Sequence, residues 1–146
     1  MENEPQKAWM RALALAPRAR LEEARDAIAD APGFTRLRPT ETGLVMVRAR
    51  VGGSGGPFNF AEMTVTRASI RLDDGTIGQA WIAGRDTKHA ELAAWFDALL
   101  QDKARRPALL ASVIAPLERE RHAQDAARAA RVAATRVDFE TVVRGA

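Results

Sequence analysis

The chain has 146 residues, of which 47% are hydrophobic and 28% are charged, and both values are ordinary for a single soluble domain. It contains no cysteine, which excludes disulfides, cysteine-ligated zinc, iron–sulfur clusters and a thiol nucleophile within this chain. The net charge of +3 does not by itself point to nucleic acid.

The basic residues are biased toward arginine, since only three of the 22 are lysines. Arginine makes bidentate contacts with carboxylates and phosphates, so the bias suits a functional surface; a high-GC coding bias explains it equally well. The first seven residues are acidic and polar, unlike a signal peptide, and no apolar run approaches the roughly 20 residues that span a bilayer. We therefore expect a single cytoplasmic domain over residues 1–146 that binds no membrane.

Two short helices are predicted at the amino-terminal end. Residues 6–16 carry apolar side chains at helical spacing until Pro17, and a second stripe follows over residues 18–29 until the Pro32–Gly33 break. Two helices joined at a proline predict a helical hairpin.

Three strands are predicted next, because hydrophobicity alternates with a period of two over residues 43–51, 63–72 and 76–83. A glycine-rich loop at residues 52–57 separates the first two. Asp74–Gly75 indicates a tight two-residue turn between the second and third. These segments predict a three-stranded antiparallel meander.

Helices are predicted again after the strands. The helix that begins near residue 87 has the apolar spacing of a helix that covers the sheet, and a short apolar helix follows Pro107. Pro116 begins a long Ala/Arg-rich helix that ends near residue 135, and residues 137–143 predict an extended tail. The fold class is therefore α+β: a helical hairpin, a meander covered by a helix, a long C-terminal helix and an extended tail.

The strongest sign of acid–base chemistry is Asp86 close to His89, because an aspartate–histidine pair can transfer protons. The alternative is that Asp86 caps the helix and His89 lies in its first turn, which capping preferences favour. His89 and His122 are the only histidines, too few for a dedicated zinc site unless carboxylates complete it.

Arginines on the predicted strands form the clearest constellation. Arg48 and Arg50 share one face of the first strand, and Arg67 and Arg71 share one face of the second. Beside the glycine-rich loop they suit a polyphosphate, whereas ion pairs or a solvated sheet face explain them without a ligand. The loop lacks the Gly-Lys-Ser/Thr of a P-loop and is also explained as a flexible connection.

Several segments, in this order and spacing, resemble the PhnG family of the bacterial carbon–phosphorus lyase system. The resemblance covers nearly the whole chain, including Trp9–Met10. The segments that carry it are residues 41–45, 50–55, 64–68, 71–76, 84–91, 114–117, 134–139 and 143–145.

The resemblance implies a subunit that works in a core complex with the H, I and J subunits and with the ATP-binding-cassette-like L protein. In that family the assembly transfers the ribose triphosphate of ATP to an alkylphosphonate, and adenine leaves. The nucleosidase chemistry is attributed to the I subunit, and a separate radical enzyme with an iron–sulfur cluster later cleaves the carbon–phosphorus bond.

The resemblance supplies no catalytic residue to carry over, so we predict none and no bound metal or cofactor in this chain; ATP and the phosphonate are substrates of the complex. Our candidates for a phosphate-facing or interface surface are Arg67, Arg71, Arg85, Asp86 and His89. Two alternatives are a stand-alone phosphate-handling enzyme that uses Asp86 and His89, and an arginine-rich nucleic-acid-binding module. Scarce aromatic residues and the small net charge argue against the latter.

Overall fold

The structure is a computed structural model that describes residues 4–137. Its helices are α1 (Glu4–Leu15), α2 (Arg18–Asp26), α3 (Thr87–Gln101), α4 (Arg106–Leu109) and α5 (Ala115–Ala133). Its strands are β1 (Phe34–Arg36), β2 (Glu41–Arg50), β3 (Pro57–Leu72) and β4 (Ile77–Ala83). The predicted α+β class is confirmed, whereas the predicted tail, apart from Val137, lies outside the described residues.

The long strand β3 is the centre of an antiparallel sheet. It pairs with β4 on one side, and on the other side it pairs first with β2 and then, at its end, with the three-residue β1. The predicted meander is therefore confirmed as β2–β3–β4. The fourth strand β1 was missed because three residues are too few to show an alternating pattern.

The turn between β3 and β4 differs from the predicted two-residue turn. The Gly75 amide donates to the Leu72 carbonyl (3.0 Å), and the Leu72 amide donates to the Thr76 carbonyl (2.9 Å), so three residues form the loop. Gly75 has φ 90°, a left-handed conformation that glycine adopts without a steric penalty. This is the turn-plus-bulge arrangement of three-residue hairpin loops.

Helix α3 lies at the centre of the core rather than on its surface. It contacts β3 and β4 on one side and α1, α2 and α4 on others. Trp95 and Phe96 are fully buried, and alanines on the remaining sides let the neighbouring elements approach. The Trp95 indole donates to the Pro32 carbonyl (3.0 Å), which holds the chain between α2 and β1 against the core.

A buried carboxylate, Asp97, connects three elements across this core. It accepts hydrogen bonds from the Trp9 indole of α1 (2.9 Å), the Gln79 amide of β4 (3.0 Å) and the Gln101 side chain of α3 (3.2 Å). Gln6 donates as well, at 3.1 Å. Each of these partners donates, and the two carboxylate oxygens accept.

The carboxyl-terminal helices form one continuous rod. Residues on both sides of a π-helical turn at Leu110–Ile114 keep helical dihedral angles, so α4 continues into α5 and the predicted restart at Pro116 is not seen. A wider turn accommodates a proline, which lacks an N–H group and crowds the preceding turn. Arg20 of α2 holds the rod through a bidentate ion pair with Glu120 (2.5 and 3.2 Å). From His122 to Val137 every residue is exposed.

Strands β2 and β3 extend past the helices as a two-stranded β-ribbon, which we define as residues 44–63. The sequence pattern started β3 only at Met63, whereas the strand begins at Pro57. A β-bulge interrupts the ribbon, since Val47 pairs with Ala61 but Arg48 pairs with Asn59, which leaves Phe60 as the extra residue. Within residues 4–137 no helix is long and apolar enough to cross a membrane.

Candidate functional site on the open sheet face

The helices pack on only one face of the sheet. Thr66, Ala68 and Ile70 point toward them and are buried. The alternate side chains point away, and there Trp81, Ile77 and Met63 keep 48%, 44% and 43% of their surfaces exposed. We call this side the open face. Several exposed large apolar side chains on one surface are typical of an interaction site.

The centre of the open face is formed by Arg67, Glu41 and Trp81. The Arg67 Nη2 atom lies 2.6 Å from a Glu41 carboxylate oxygen, and its guanidinium carbon lies 5.8 Å from the Trp81 ring centre. The hydrogen bond from Arg67 holds the pKa of Glu41 below its usual value. A shallow groove of about 340 Å³ runs beside this trio along residues 41–45. Arg67 is therefore already paired, and it stiffens an aromatic surface.

The four arginines of the predicted constellation do not form one cluster. Arg67 and Arg71 share the open face, as predicted, but they are four residues and therefore roughly 13 Å apart along β3. Arg48 and Arg50 pair opposite Asn59 and Pro57 and point to the other face. A single phosphate group cannot contact both pairs.

Arg71 and Arg85 are the two candidate residues that remain available to a partner. Both are exposed, and neither makes an ion pair or side-chain hydrogen bond within residues 4–137. Arg71 lies on the open face opposite Ile77, and Arg85 lies in the loop between β4 and α3. They belong to different ends of the sheet, so they offer two separate positive points.

Asp86 and His89 have structural contacts. The Asp86 carboxylate accepts the His89 backbone amide at 3.0 Å, which caps α3, and it also accepts Arg18 at 3.1 Å. The hydrogen bond from the His89 amide, together with the positive charge of Arg18, holds the pKa of Asp86 below its usual value. The His89 Nε2 atom lies 2.9 Å from the Leu13 carbonyl oxygen, to which it donates because a carbonyl only accepts.

The capping interpretation of this pair is therefore the one that the geometry matches. The Asp86 side chain contacts the backbone of His89, and the imidazole points to α1 instead. An aspartate–histidine pair that transfers protons joins the carboxylate to the imidazole ring, and that contact is not made here. Within residues 4–137 no three histidine, aspartate or glutamate side chains are grouped to hold a metal ion.

A second concave surface was not predicted from the sequence. A cleft of about 470 Å³ lies between α2, β1 and α3 and is lined by both carboxylates and basic side chains. Arg36 makes a bidentate ion pair with Glu91 (2.7 and 2.8 Å), and Thr40 donates to the same carboxylate (2.7 Å). The hydrogen bonds from Arg36 are the largest cause that holds the pKa of Glu91 below its usual value. Arg36 and Glu91 are therefore occupied with each other in this cleft.

The described residues thus define a small α+β protein with an open apolar sheet face, a projecting ribbon and no assembled nucleophile or acid–base pair. An exposed apolar sheet face of this kind is typical of a protein that binds a partner.

The comparisons with known proteins agree with this class and identify the family. A family model described as "Phosphonate metabolism protein PhnG" matches residues 4–145. The chain is also 49% identical over 139 residues to a protein of Rhizobium meliloti (strain 1021), an alignment that covers 93% of this chain and 86% of the relative. That relative is named "Alpha-D-ribose 1-methylphosphonate 5-triphosphate synthase subunit PhnG". The chain belongs to the PhnG family, and the resemblance seen in its sequence is confirmed.

Proposed function

We propose that this chain is the G subunit of an α-D-ribose 1-methylphosphonate 5-triphosphate synthase in organic phosphonate catabolism. The observation that carries the proposal is the 49% identity to the Rhizobium meliloti subunit over 93% of this chain. The family match over residues 4–145 supports the same assignment. The assembly transfers the ribose triphosphate of ATP to an alkylphosphonate and releases adenine.

In this proposal the chain supports the chemistry and a partner performs it. Its partners are the H, I and J subunits and the L protein in the cytoplasm, and the chain itself holds no cofactor. The structural use of Asp86 and His89 supports this division of labour, because their side chains are committed to α3, α2 and α1. The same contacts argue against a stand-alone enzyme built on this pair.

The five candidate residues take different parts in the proposal. Arg71 and Arg85 are the points that contact a partner or a phosphate group, since their guanidinium groups carry no partner within residues 4–137. Arg67 contributes to the interface through the surface that it forms with Trp81. Asp86 and His89 hold the end of α3 against α1 and α2, close to Arg85 in the chain.

Release of adenine from ATP and methylphosphonate tests the proposal. We expect release by the co-purified G, H and I subunits with L, and a loss of at least about 100-fold when only this chain is omitted, because an incomplete assembly does not stabilise the transition state. This chain alone is expected to release none. The measurement is adenine by chromatography, with the phosphonate left out as the control.

Unchanged release without this chain would contradict the supporting role. Release by this chain alone would instead support the stand-alone enzyme.

A further inference from the structure

The β-ribbon is the most apolar exposed part of the described chain. Phe60 keeps 68% of its surface exposed and Leu44 keeps 62%, and Met46, Phe58 and Met63 are exposed as well. The Phe58 and Phe60 rings contact each other edge to face, with centres 6.1 Å apart. Exposed aromatic and methionine side chains are enriched where proteins bind proteins.

Both faces of the ribbon carry these side chains. Leu44 and Met46 point to the same face of the sheet as Thr66 of β3. The helices cover this face at Thr66, which is buried, but not at the ribbon. Met63 and Phe58 point to the open face, opposite Val45 and Ala49. A partner that covered only one face would leave the other in water, so full burial requires a cleft.

The backbone edges of the ribbon are poorly suited to pairing with another strand. The bulge at Phe60 interrupts the ladder between β2 and β3 and increases the local twist, and Pro57 has no N–H group to donate. Arginines at 48 and 50 lie on the other strand. These are devices that keep strand edges from joining edge to edge. Contacts through side chains, rather than strand addition, are therefore expected.

We propose that the β-ribbon inserts into an apolar cleft of a neighbouring subunit of the synthase, and that carboxylates line the rim of this cleft opposite Arg48 and Arg50. The proposal rests on the proposed function. Arg48 makes no ion pair within residues 4–137, and Glu62 is the one acidic residue among residues 44–63, so the charge of the ribbon favours an acidic partner.

A second copy of this chain and a lipid bilayer fit the ribbon less well. Two ribbons packed together would bring the arginines of both copies close to each other, which like charges disfavour. In a bilayer the free backbone groups at both ribbon edges would have no water to bind, and unpaired backbone groups are not tolerated in lipid.

A titration of this chain into a fixed mixture of H, I and L tests the proposal. The concentration of this chain that gives half-maximal adenine release is expected to rise at least about tenfold for the double variant Leu44→Gln/Phe60→Gln. A few buried anchors, aromatic side chains above all, carry most of the binding energy at interfaces. The maximal rate is expected to stay unchanged. Leu15→Gln, which alters an apolar side chain of α1 that is 54% exposed, is the control and should titrate like the wild type.

A second variant tests the charge and does not depend on the apolar side chains. Arg48→Glu is expected to raise the half-maximal concentration at least about fivefold at low salt and by less at high salt, since exposed charges are screened. Arg11→Glu, exposed on α1, is its control. The isolated variants should keep the wild-type circular dichroism spectrum, because each altered side chain is exposed.

The outcomes separate the two proposals. If the wild type supports adenine release but the ribbon variants titrate identically to it, the ribbon proposal is wrong and the proposed function stands. If omission of the wild type has no effect, both are wrong. If the isolated chain forms dimers and the ribbon variants do not, the ribbon binds a second copy and the proposal is wrong. If the wild type sediments with phosphatidylcholine–phosphatidylglycerol vesicles, the ribbon binds a membrane and the proposal is again wrong.

Discussion

Replacement of Gly78 by alanine is expected to lower the free energy of unfolding by about 3 kcal/mol, the upper end of the usual cost of overpacking a core. A Cβ atom at this position of β4 would overlap the Ala94 carbonyl oxygen and would lie 2.9 Å from the Ala98 Cβ atom of α3. Both contacts are too close, and the first is with backbone. Helix α3 must therefore move away from the sheet, which loosens the packing of Ile70 and Ile82.

Gly43→Ala is the matched control for this variant. Gly43 also lies in a strand, and a Cβ atom there meets nothing within 4 Å. That substitution is expected to leave stability unchanged or to raise it by up to about 1 kcal/mol through the entropy of the unfolded chain. Urea denaturation of both variants measures the difference. A Gly78→Ala protein within about 0.5 kcal/mol of the wild type would contradict the close approach of α3 to β4.

Replacement of Asp97 by alanine is expected to cost about 3 to 5 kcal/mol, because it leaves one buried donor and several part-buried donors without an acceptor, and a buried donor alone costs about 1 to 3 kcal/mol. The Trp9 indole loses its partner inside the core, and the Gln79 amide loses its partner at a part-buried position. In a thermal melt this corresponds to a fall of roughly 10 to 15 °C for a domain of this size.

Two comparisons test the cause of this loss. Asp97→Asn keeps one acceptor oxygen but turns an N–H group toward some of the same donors, so an intermediate loss is expected. Asp26→Ala, which removes an exposed carboxylate of α2, is expected to change stability by less than about 0.5 kcal/mol. Equal melting temperatures for Asp97→Ala and Asp26→Ala would show that the network around Asp97 contributes nothing.

The alternating pattern predicted the faces of β3 and β4 correctly. Thr66 and Ile70 point to the core while Arg67 and Arg71 point away, because a strand places successive side chains on opposite sides. The same rule cannot say which strands are neighbours. It therefore left open whether Arg48 and Arg67 meet, and the pairing places them on opposite faces.

Helix α3 shows why Asp97 was missed. A polar residue in an amphipathic helix is ordinarily assigned to the solvent side, and Asp97 follows Trp95 and Phe96 in an apolar stripe. The helix is surrounded by other elements, so even its polar position is buried. The one sequence signal was the small residues Ala90, Ala94 and Ala98, which allow neighbours to approach on the remaining sides.

The first part of β3, which forms the second strand of the ribbon, was missed for a different reason. Residues 57–62 follow a glycine-rich loop and lack clear alternation, because both faces of a projecting ribbon are exposed and the bulge at Phe60 shifts the period. Patterns of hydrophobicity report burial within one chain. They do not report burial against a partner, and we propose that Phe58 and Phe60 are buried in this way.

We propose that this chain is a required subunit that supplies no catalytic side chain. The most direct test is the maximal rate of adenine release when His89→Gln protein is titrated into H, I and L. Glutamine can still donate to the Leu13 carbonyl, so the fold is kept, but it cannot transfer a proton as imidazole does. We expect a maximal rate within about twofold of the wild type, whereas removal of a general base would lower it about 100-fold or more. A roughly 100-fold lower maximal rate in a folded, assembled His89→Gln variant would contradict this proposal and would show that His89 takes part in catalysis.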